Sequence, residues 1–281
     1  MLSDITITLI QSTLHWEKRE KNLDMFSGII QAMQDPTDLI ILPEMFSTGF
    51  TMNTKKCHEK MNGKTMEWMA AVAKGKKCAI TGSLIVKEGK NFFNRLIWMK
   101  PDGKFDWYDK RHLFRMMEED KHFAPGSEKL LVDLNGWKIC PVICYDLRFP
   151  VWCRNRMIST SLKKKKGKNQ KISRDKQAPE YDLLVVIANW PEIRRNAWRI
   201  LLQARAIENQ CYVAGVNRVG KDGNDISFSG NSEVVEPRGN TVISIKPYEE
   251  KSETAKLSWF ELSQFREKFP AGLDADEFTL Q

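Results

Sequence analysis

Apolar and polar positions alternate at the start of the chain, in DITITLI at residues 4 to 10, and a period of two predicts a half-buried strand. A polar stretch follows with Leu23, Phe26, Ile29 and Ile30 close to helical spacing. DLIILPE, with an unbroken apolar run, then predicts a buried strand. MEWMAAVAKG predicts a helix ending at Gly75, and CAITGSLIV returns to strand. The N-terminal part therefore reads as β-α-β-α-β.

The middle of the chain changes character. RLIWMKPDGKFDWYDKR has strand-like halves around Pro101-Asp102-Gly103, and LLVDLNGWKIC repeats the pattern at Asn135-Gly136. Hairpins inside an alternating α/β chain imply mixed sheets. DLLVVIANW is a further buried strand, and the segment after it puts Ala197, Ile200, Leu201, Ala204 and Ile207 on one helical face, expected to meet the core. CYVAGVNRV, SEVVEPRGNTVISI and KLSWFEL read as more strands. With no linker and no fixed-period repeat, the expectation is one α/β domain over residues 1–281, two mixed sheets covered by helices.

Charge alters this picture in one place. Of the net +8, +6 lies between Met157 and Glu180, where eight Lys or Arg face two acidic residues. This stretch, ISTSLKKKKGKNQKISRDKQAPE, has too little apolar content to offset the entropy of ordering, so a basic, flexible insertion is expected at about 158–178. No aromatic or groove-fitting motif accompanies the charge, so a nucleic-acid partner is not expected. The N-terminus lacks a basic start and a continuous apolar core, and runs such as LLVV at 183–186 are far shorter than the ~18 residues of a membrane span. Six cysteines, at 57, 78, 140, 144, 153 and 211, form no regular framework, which points to reduced thiols and a cytoplasmic location. Cys140 and Cys144 have CxxxC spacing without a His or a second cysteine cluster, so no metal site is expected. A redox pair is also disfavoured, because residues four apart in a strand are too distant to bridge.

The candidate chemistry lies where apolar runs stop. CPVICYDLRFP ends a buried run at a thiol, Cys144, followed by Tyr, Asp and Arg. Glu44 ends DLIILPE, and Lys110 follows the WMKPDGKFDWY hairpin. A nucleophilic thiol needs a group to take its proton and donors to hold the oxyanion, and three strand ends supply a carboxylate, an ammonium and a thiol. Taken singly, cysteine is among the most buried residue types and mostly fills space, a reading that Cys57, Cys78, Cys140, Cys153 and Cys211 keep.

LPEMFSTGF around Glu44, YDKRHLF around Lys110 and CYDLRFP around Cys144 together resemble the nitrilase, or carbon-nitrogen hydrolase, superfamily. ANWP at 188–191, ARAIENQ and SGNS near residue 230 extend the resemblance over most of the chain, and KRHLF with CYDLRFPVW is most similar to the omega-amidase branch. The implied fold is a four-layer α-β-β-α sandwich, often dimerised; the basic stretch departs from the pattern. The implied catalytic set is Glu44, Lys110 and Cys144, with a second glutamate at Glu118 or, on the following Lys-His-aromatic stretch, Glu119.

The implied reaction is hydrolysis of the terminal amide of a small 2-oxo acid through a thioester. Glu44 acts as base, Lys110 and the Tyr145 N–H hold the oxyanion, and no metal or organic cofactor takes part. Arg148, or Arg111 or His112, is expected to bind the substrate carboxylate, and Phe46, Tyr145 and Trp190 to wall the pocket. Arg148 could instead pair with Asp146. The competing readings are a carbamoylase, nitrilase or aliphatic amidase, or a non-catalytic basic-tract binding protein.

Overall fold

In the computed structural model, which describes residues 2–159, 177–276, 278 and 279, the alternating start of the chain is strand β1 (Ile5–Gln11). Helix α1 (Arg19–Ala32) leads to β2 (Leu39–Ile41); the short α2 (Thr54–Cys57) and then α3 (Lys64–Lys76) lead to β3 (Ala79–Glu88). Hairpins add β4 (Asn91–Met99) and β5 (Phe105–Asp109). After α4 (Glu119–His122), a further hairpin makes β6 (Val132–Leu134) and β7 (Trp137–Ile143). Asn135 and Gly136 both have positive φ, 53° and 90°, which a two-residue turn matched to strand twist requires.

A ribbon, β8 (Met157–Ser159) with β9 (Gln177–Pro179), precedes β10 (Leu183–Ala188), α5 (Arg195–Asn209) and β11 (Tyr212–Asn217). A small hairpin, β12 (Val219–Lys221) with β13 (Ser227–Ser229), is followed by β14 (Glu233–Val235), β15 (Thr241–Ser244), β16 (Lys251–Leu257) and α6 (Trp259–Lys268). One six-stranded sheet runs β16-β1-β2-β3-β4-β5 and the other β15-β14-β11-β10-β7-β6. Each has a parallel centre, β1-β2-β3 or β7-β10-β11, with antiparallel strands outside it.

The period of two sorts side chains between layers. Ile5, Ile7 and Leu9 with Leu96 and Trp98 meet Ile139 and Val185 of the second sheet, whereas Ile10, Ile40, Ile80 and Ile97 meet Leu23, Phe26 and Met69 beneath α1 and α3. Burying each such side chain contributes about 1.5–3 kcal/mol, so a one-residue slip in register would be prohibitive. With α5 packed on β11 and β14, the result is an α-β-β-α sandwich, as expected.

Three expectations change. Trp198, Leu202, Arg205, Ala206 and Asn209 are the buried face of α5, while Ile200 and Ile207 are each 54% exposed. The bulky Trp198 takes the sheet-facing position, and Arg205 and Asn209 are buried through hydrogen bonds that a hydrophobic period does not register. KLSWFEL is strand only to Leu257; Ser258 then caps α6 by accepting the Glu261 N–H at 3.3 Å, an S-x-x-E capping pattern. Of the basic 158–178 segment, Ile158, Ser159, Gln177 and Ala178 belong to the β8–β9 ribbon, and 160–176 lie outside the described residues.

Candidate active site

The loops at the C-terminal ends of parallel strands are where α/β sheets gather ligand-binding groups. Glu44 follows β2, Cys144 follows β7 and Asn189 follows β10; Lys110 is added from the end of β5. At the first end the chain turns sharply, with Met45 at φ 44° and its N–H donating to Ser83 Oγ at 2.8 Å. Lys110 is fixed by its own N–H donating to Asn94 O at 3.0 Å.

Glu44, Lys110 and Glu119 are essentially inaccessible. Lys110 Nζ donates to Glu44 Oε1 at 2.8 Å and to Glu119 Oε1 and Oε2 at 3.1 and 2.9 Å. Asn94 Nδ2 lies between the same carboxylates, 2.9 Å from Glu44 Oε1 and 3.3 Å from Glu119 Oε1. Backbone N–H groups complete the cluster, Asn189 to Glu44 Oε2 at 2.8 Å and Phe114 to Glu119 Oε2 at 2.6 Å. Glu118, by contrast, faces solvent beside Lys121, so of the two candidate glutamates Glu119 is the one that lies in the cluster.

Two carboxylates around one ammonium leave an excess negative charge in a dry site. Burial alone would lower the Lys110 pKa, but Glu119 and Glu44 outweigh it and raise it, so the ammonium stays charged. Burial, reinforced by Glu44, raises Glu119 against the opposing Lys110 and Phe114 N–H. Burial and then Glu44 also hold the Cys144 thiol well above its ordinary value, with Lys110 opposing. The thiol therefore rests protonated and needs a base to become a nucleophile.

Cys144 has φ 46°, a left-handed conformation that costs a non-glycine residue on the order of 1–3 kcal/mol. Its Sγ lies 4.0 Å from Asn189 O. The short 3-10 helix it begins, Cys144–Arg148, is held by Asp146. Asp146 Oδ2 accepts from Ile143 N (3.1 Å) and Tyr108 Oη (2.7 Å), and Oδ1 accepts from His112 N (2.9 Å) with His112 Nδ1 at 2.8 Å.

Two of the expected substrate contacts are therefore corrected. His112 is stacked on Phe149 at 3.7 Å and bound to Asp146, and Arg111 donates to Gly126 O at 3.1 Å beneath Trp152. His112 braces the turn that carries the thiol, Arg111 is tied to the Gly126 backbone, and neither lines the cavity. Cys140, inside β7, is buried with its thiol pushed up to about 12 by desolvation, and the other cysteines are likewise buried and free.

The thiol opens on a mainly apolar cavity of about 240 Å³, room for a small molecule. Tyr145, Arg148 and Trp190 line it. Phe46 does not. The left-handed Met45 turns Phe46 into the core under α1 and α3, where it meets Phe26 and Trp68 at 5.7 Å, and Gly82 leaves the space: a Cβ there would stand 2.7 Å from the Phe46 ring. Phe50 replaces it in the wall, with Lys110 Nζ 5.0 Å from its ring. Asp146 is occupied by other donors; Arg148 instead lies 4.9 Å over Trp190, and among the described residues no carboxylate pairs with it.

Asn94, in the buried cluster, and Phe114, Met116, Ile193 and Arg194, at the cavity rim, are positions that the sequence alone did not single out. Asn94 does carry a signal. It is a buried polar residue on the face of β4 that it shares with Leu96 and Trp98, since residues two apart in a strand point the same way. The rim carries none, because its two segments meet only in the folded chain. Among the described residues no group of three His, Cys, Asp or Glu could hold a metal ion, and no helix is long and apolar enough to cross a membrane.

Comparison with known proteins agrees with this geometry. The carbon-nitrogen hydrolase family model matches residues 6–159 and 169–266. The chain is similar to omega-amidase YafV of Escherichia coli strain BL21-DE3, at 39% identity over 276 residues covering 98% of each chain. It is similar also to the 2-oxoglutaramate amidase of Bacillus subtilis strain 168, at 30% identity over 268 residues, 94% of this chain and 95% of that one. Among solved structures, XC1258 of Xanthomonas campestris, a CN-hydrolase superfamily protein with an arsenic adduct in its active site, superposes with a TM-score of 0.90 at 41% identity over 99% of both chains. Sandwich, strand-end cluster and relatives agree with the motif resemblance, and the chain belongs to the carbon-nitrogen hydrolase family.

Proposed function

We propose that the protein is an omega-amidase, a cysteine-dependent hydrolase converting the terminal amide of a small 2-oxo acid, such as 2-oxoglutaramate, to the acid and ammonia. One observation carries this reading. The buried Glu44–Lys110–Glu119 cluster meets a strand-end thiol at an apolar cavity, and the wall of that cavity holds Arg148 without a carboxylate partner among the described residues. The names of the relatives support the same substrate class.

In this scheme Glu44 takes the Cys144 proton and Sγ attacks the amide carbon. The oxyanion is held by the Tyr145 N–H, at the first turn of a helix where amides lack helical partners, and by Lys110. With one Nζ proton on Glu44 and one shared by the oxygens of Glu119, the third is left for the oxyanion. Glu44 passes the proton to the leaving nitrogen, the C–N bond breaks, and ammonia departs from a thioester. Water deprotonated by Glu44 then adds to the thioester, the C–S bond breaks, and the thiol is regenerated beside the acid. Glu119 positions Lys110, and Arg148 binds the substrate carboxylate bidentately. The scheme calls for no metal or organic cofactor.

Ammonia release from 2-oxo acid amides, glutamine, asparagine, simple nitriles and carbamoyl amino acids tests the reading. It expects the highest kcat/KM on the 2-oxo acid amides; preference for a nitrile or a carbamoyl amino acid would overturn it. We further infer one catalytic domain acting in the cytoplasm as a homodimer. The exposed Ile200 and Ile207 of α5 supply apolar surface for pairing, and Ile200→Glu with Ile207→Glu should yield a monomer in sedimentation.

A further inference from the structure

Arg19, Arg95, Arg156, Arg205 and Arg266 each pair with a carboxylate. The two arginines of the cavity wall, Arg148 and Arg194, have no such partner among the described residues. We infer that Arg194 is a second arm of the carboxylate site, so that the acid end of the amide is held between two guanidiniums while the amide end reaches Cys144. This inference rests on the reading of the cavity as an acid-amide site.

Arg194 ends the short 3-10 helix Glu192–Arg194 just before α5. Its guanidinium lies 5.5 Å over the Phe114 ring. Its one side-chain hydrogen bond among the described residues, 2.7 Å from Nη2, goes to Met116 Sδ. A thioether is a weak acceptor, so a carboxylate would displace it. Trp190 couples the two arginines: its face carries Arg148 at 4.9 Å, and its Nε1–H donates to Arg194 O at 2.9 Å.

The acid in the same wall does not neutralise them. Asp222 Oδ1 accepts the N–H groups of Asn224 at 2.8 Å and Ile226 at 3.0 Å, which ties it into its own turn. Lys110 is already engaged by Glu44 and Glu119. Two guanidiniums with free donors in a mostly apolar cavity reward a ligand bearing one carboxylate and offer a neutral amide nothing equivalent. Arg194 is thus a specificity-determining residue.

The test compares wild type, Arg194→Gln and Arg194→Lys on 2-oxoglutaramate and on pentanamide, an uncharged amide of the same chain length. For Arg194→Gln, KM on 2-oxoglutaramate should rise about tenfold or more, the loss of a charge-assisted hydrogen bond, with a smaller change in kcat. The preference for the acid amide should fall in step, and lysine should restore part of it. Binding is read separately by adding 2-oxoglutarate to Cys144→Ala protein, whose thermal stabilisation should be lost when Arg194→Gln is added. A wild-type preference for 2-oxoglutaramate that survives Arg194→Gln, with stabilisation intact, would overturn the role of Arg194 alone. A wild type without that preference would overturn the acid-amide reading, and this inference with it.

Discussion

At the floor of the cavity Glu44, Lys110 and Glu119 are buried and hold one another through bonds of 2.8–3.1 Å; at its rim Met116 is 69% and Ile193 88% exposed, and Arg194 leans on a thioether. Each floor carboxylate accepts from the ammonium, from Asn94 and from a backbone N–H, so its position is over-determined. The rim side chains have few fixed partners. The contrast separates two tasks. A reaction shared across a family needs atoms held to fractions of an ångström, whereas substrate choice needs a surface that can differ between relatives without disturbing the reaction. Changes at the floor should therefore act on kcat, and changes at the rim on KM.

The largest effect is expected for Cys144→Ala. It removes the attacking atom at little packing cost, so ammonia release should fall to background while circular dichroism and melting stay near wild type. Next, Lys110→Met should lower kcat about 10²-fold or more, the loss typical of one oxyanion donor. It also leaves Glu44 and Glu119 buried without their counter-ion, a cost on the order of 3–5 kcal/mol that proton uptake by Glu119 partly relieves. Melting should fall too, and Lys110→Met protein with unaltered kcat would mean that the floor does not carry the reaction.

A third prediction follows from the sign of the thiol shift. The Cys144 pKa is raised above the ordinary 9.0 by burial, then Glu44, with Glu119 adding to it. Alkylation by iodoacetamide should thus keep rising with pH beyond the ordinary thiol range. Glu119→Gln removes one negative neighbour and should move that rise to lower pH, while KM changes less than kcat. The same raised pKa makes the thiol's contribution to stability complete at low pH and lost as pH climbs through the shifted value. An alkylation profile unmoved by Glu119→Gln would show that the charges at the floor are not coupled.

The smallest effect is expected for the basic stretch between β8 and β9. Ser159 pairs directly with Gln177 across the β8–β9 ribbon, so a two-residue turn can replace residues 160–176. Turnover of 2-oxoglutaramate should stay within about twofold, since shortening a loop changes its closure entropy little. Adventitious nucleic-acid binding at low salt should weaken sharply, because the excised stretch carries most of the net charge.

The floor was legible in the sequence because Glu44, Lys110 and Cys144 are polar residues that end apolar runs, and a polar group at the mouth of a buried strand must face a cleft or water. Asn94 was missed, although a polar residue two before Leu96 and four before Trp98 on one strand face is a signal of the same kind. Phe46 and Phe50 could not be told apart, since a single left-handed residue, Met45, decides which aromatic turns to the cavity. The rim was illegible for a different reason. Phe114 and Met116 come from one irregular segment and Ile193 and Arg194 from another, and only the packing of the two sheets brings them together. On α5, hydrophobic periodicity failed because hydrogen-bonded Arg205 and Asn209 occupy buried positions and two isoleucines do not.

The central claim is that the thiol at the end of β7, and not the one inside it, forms a covalent intermediate. Wild-type protein turning over 2-oxoglutaramate, quenched in acid and analysed by tandem mass spectrometry, tests this directly. The account predicts an acyl adduct on Cys144 that disappears when substrate is exhausted. An adduct on Cys140, or full turnover with no adduct on any cysteine under conditions that preserve thioesters, would contradict it.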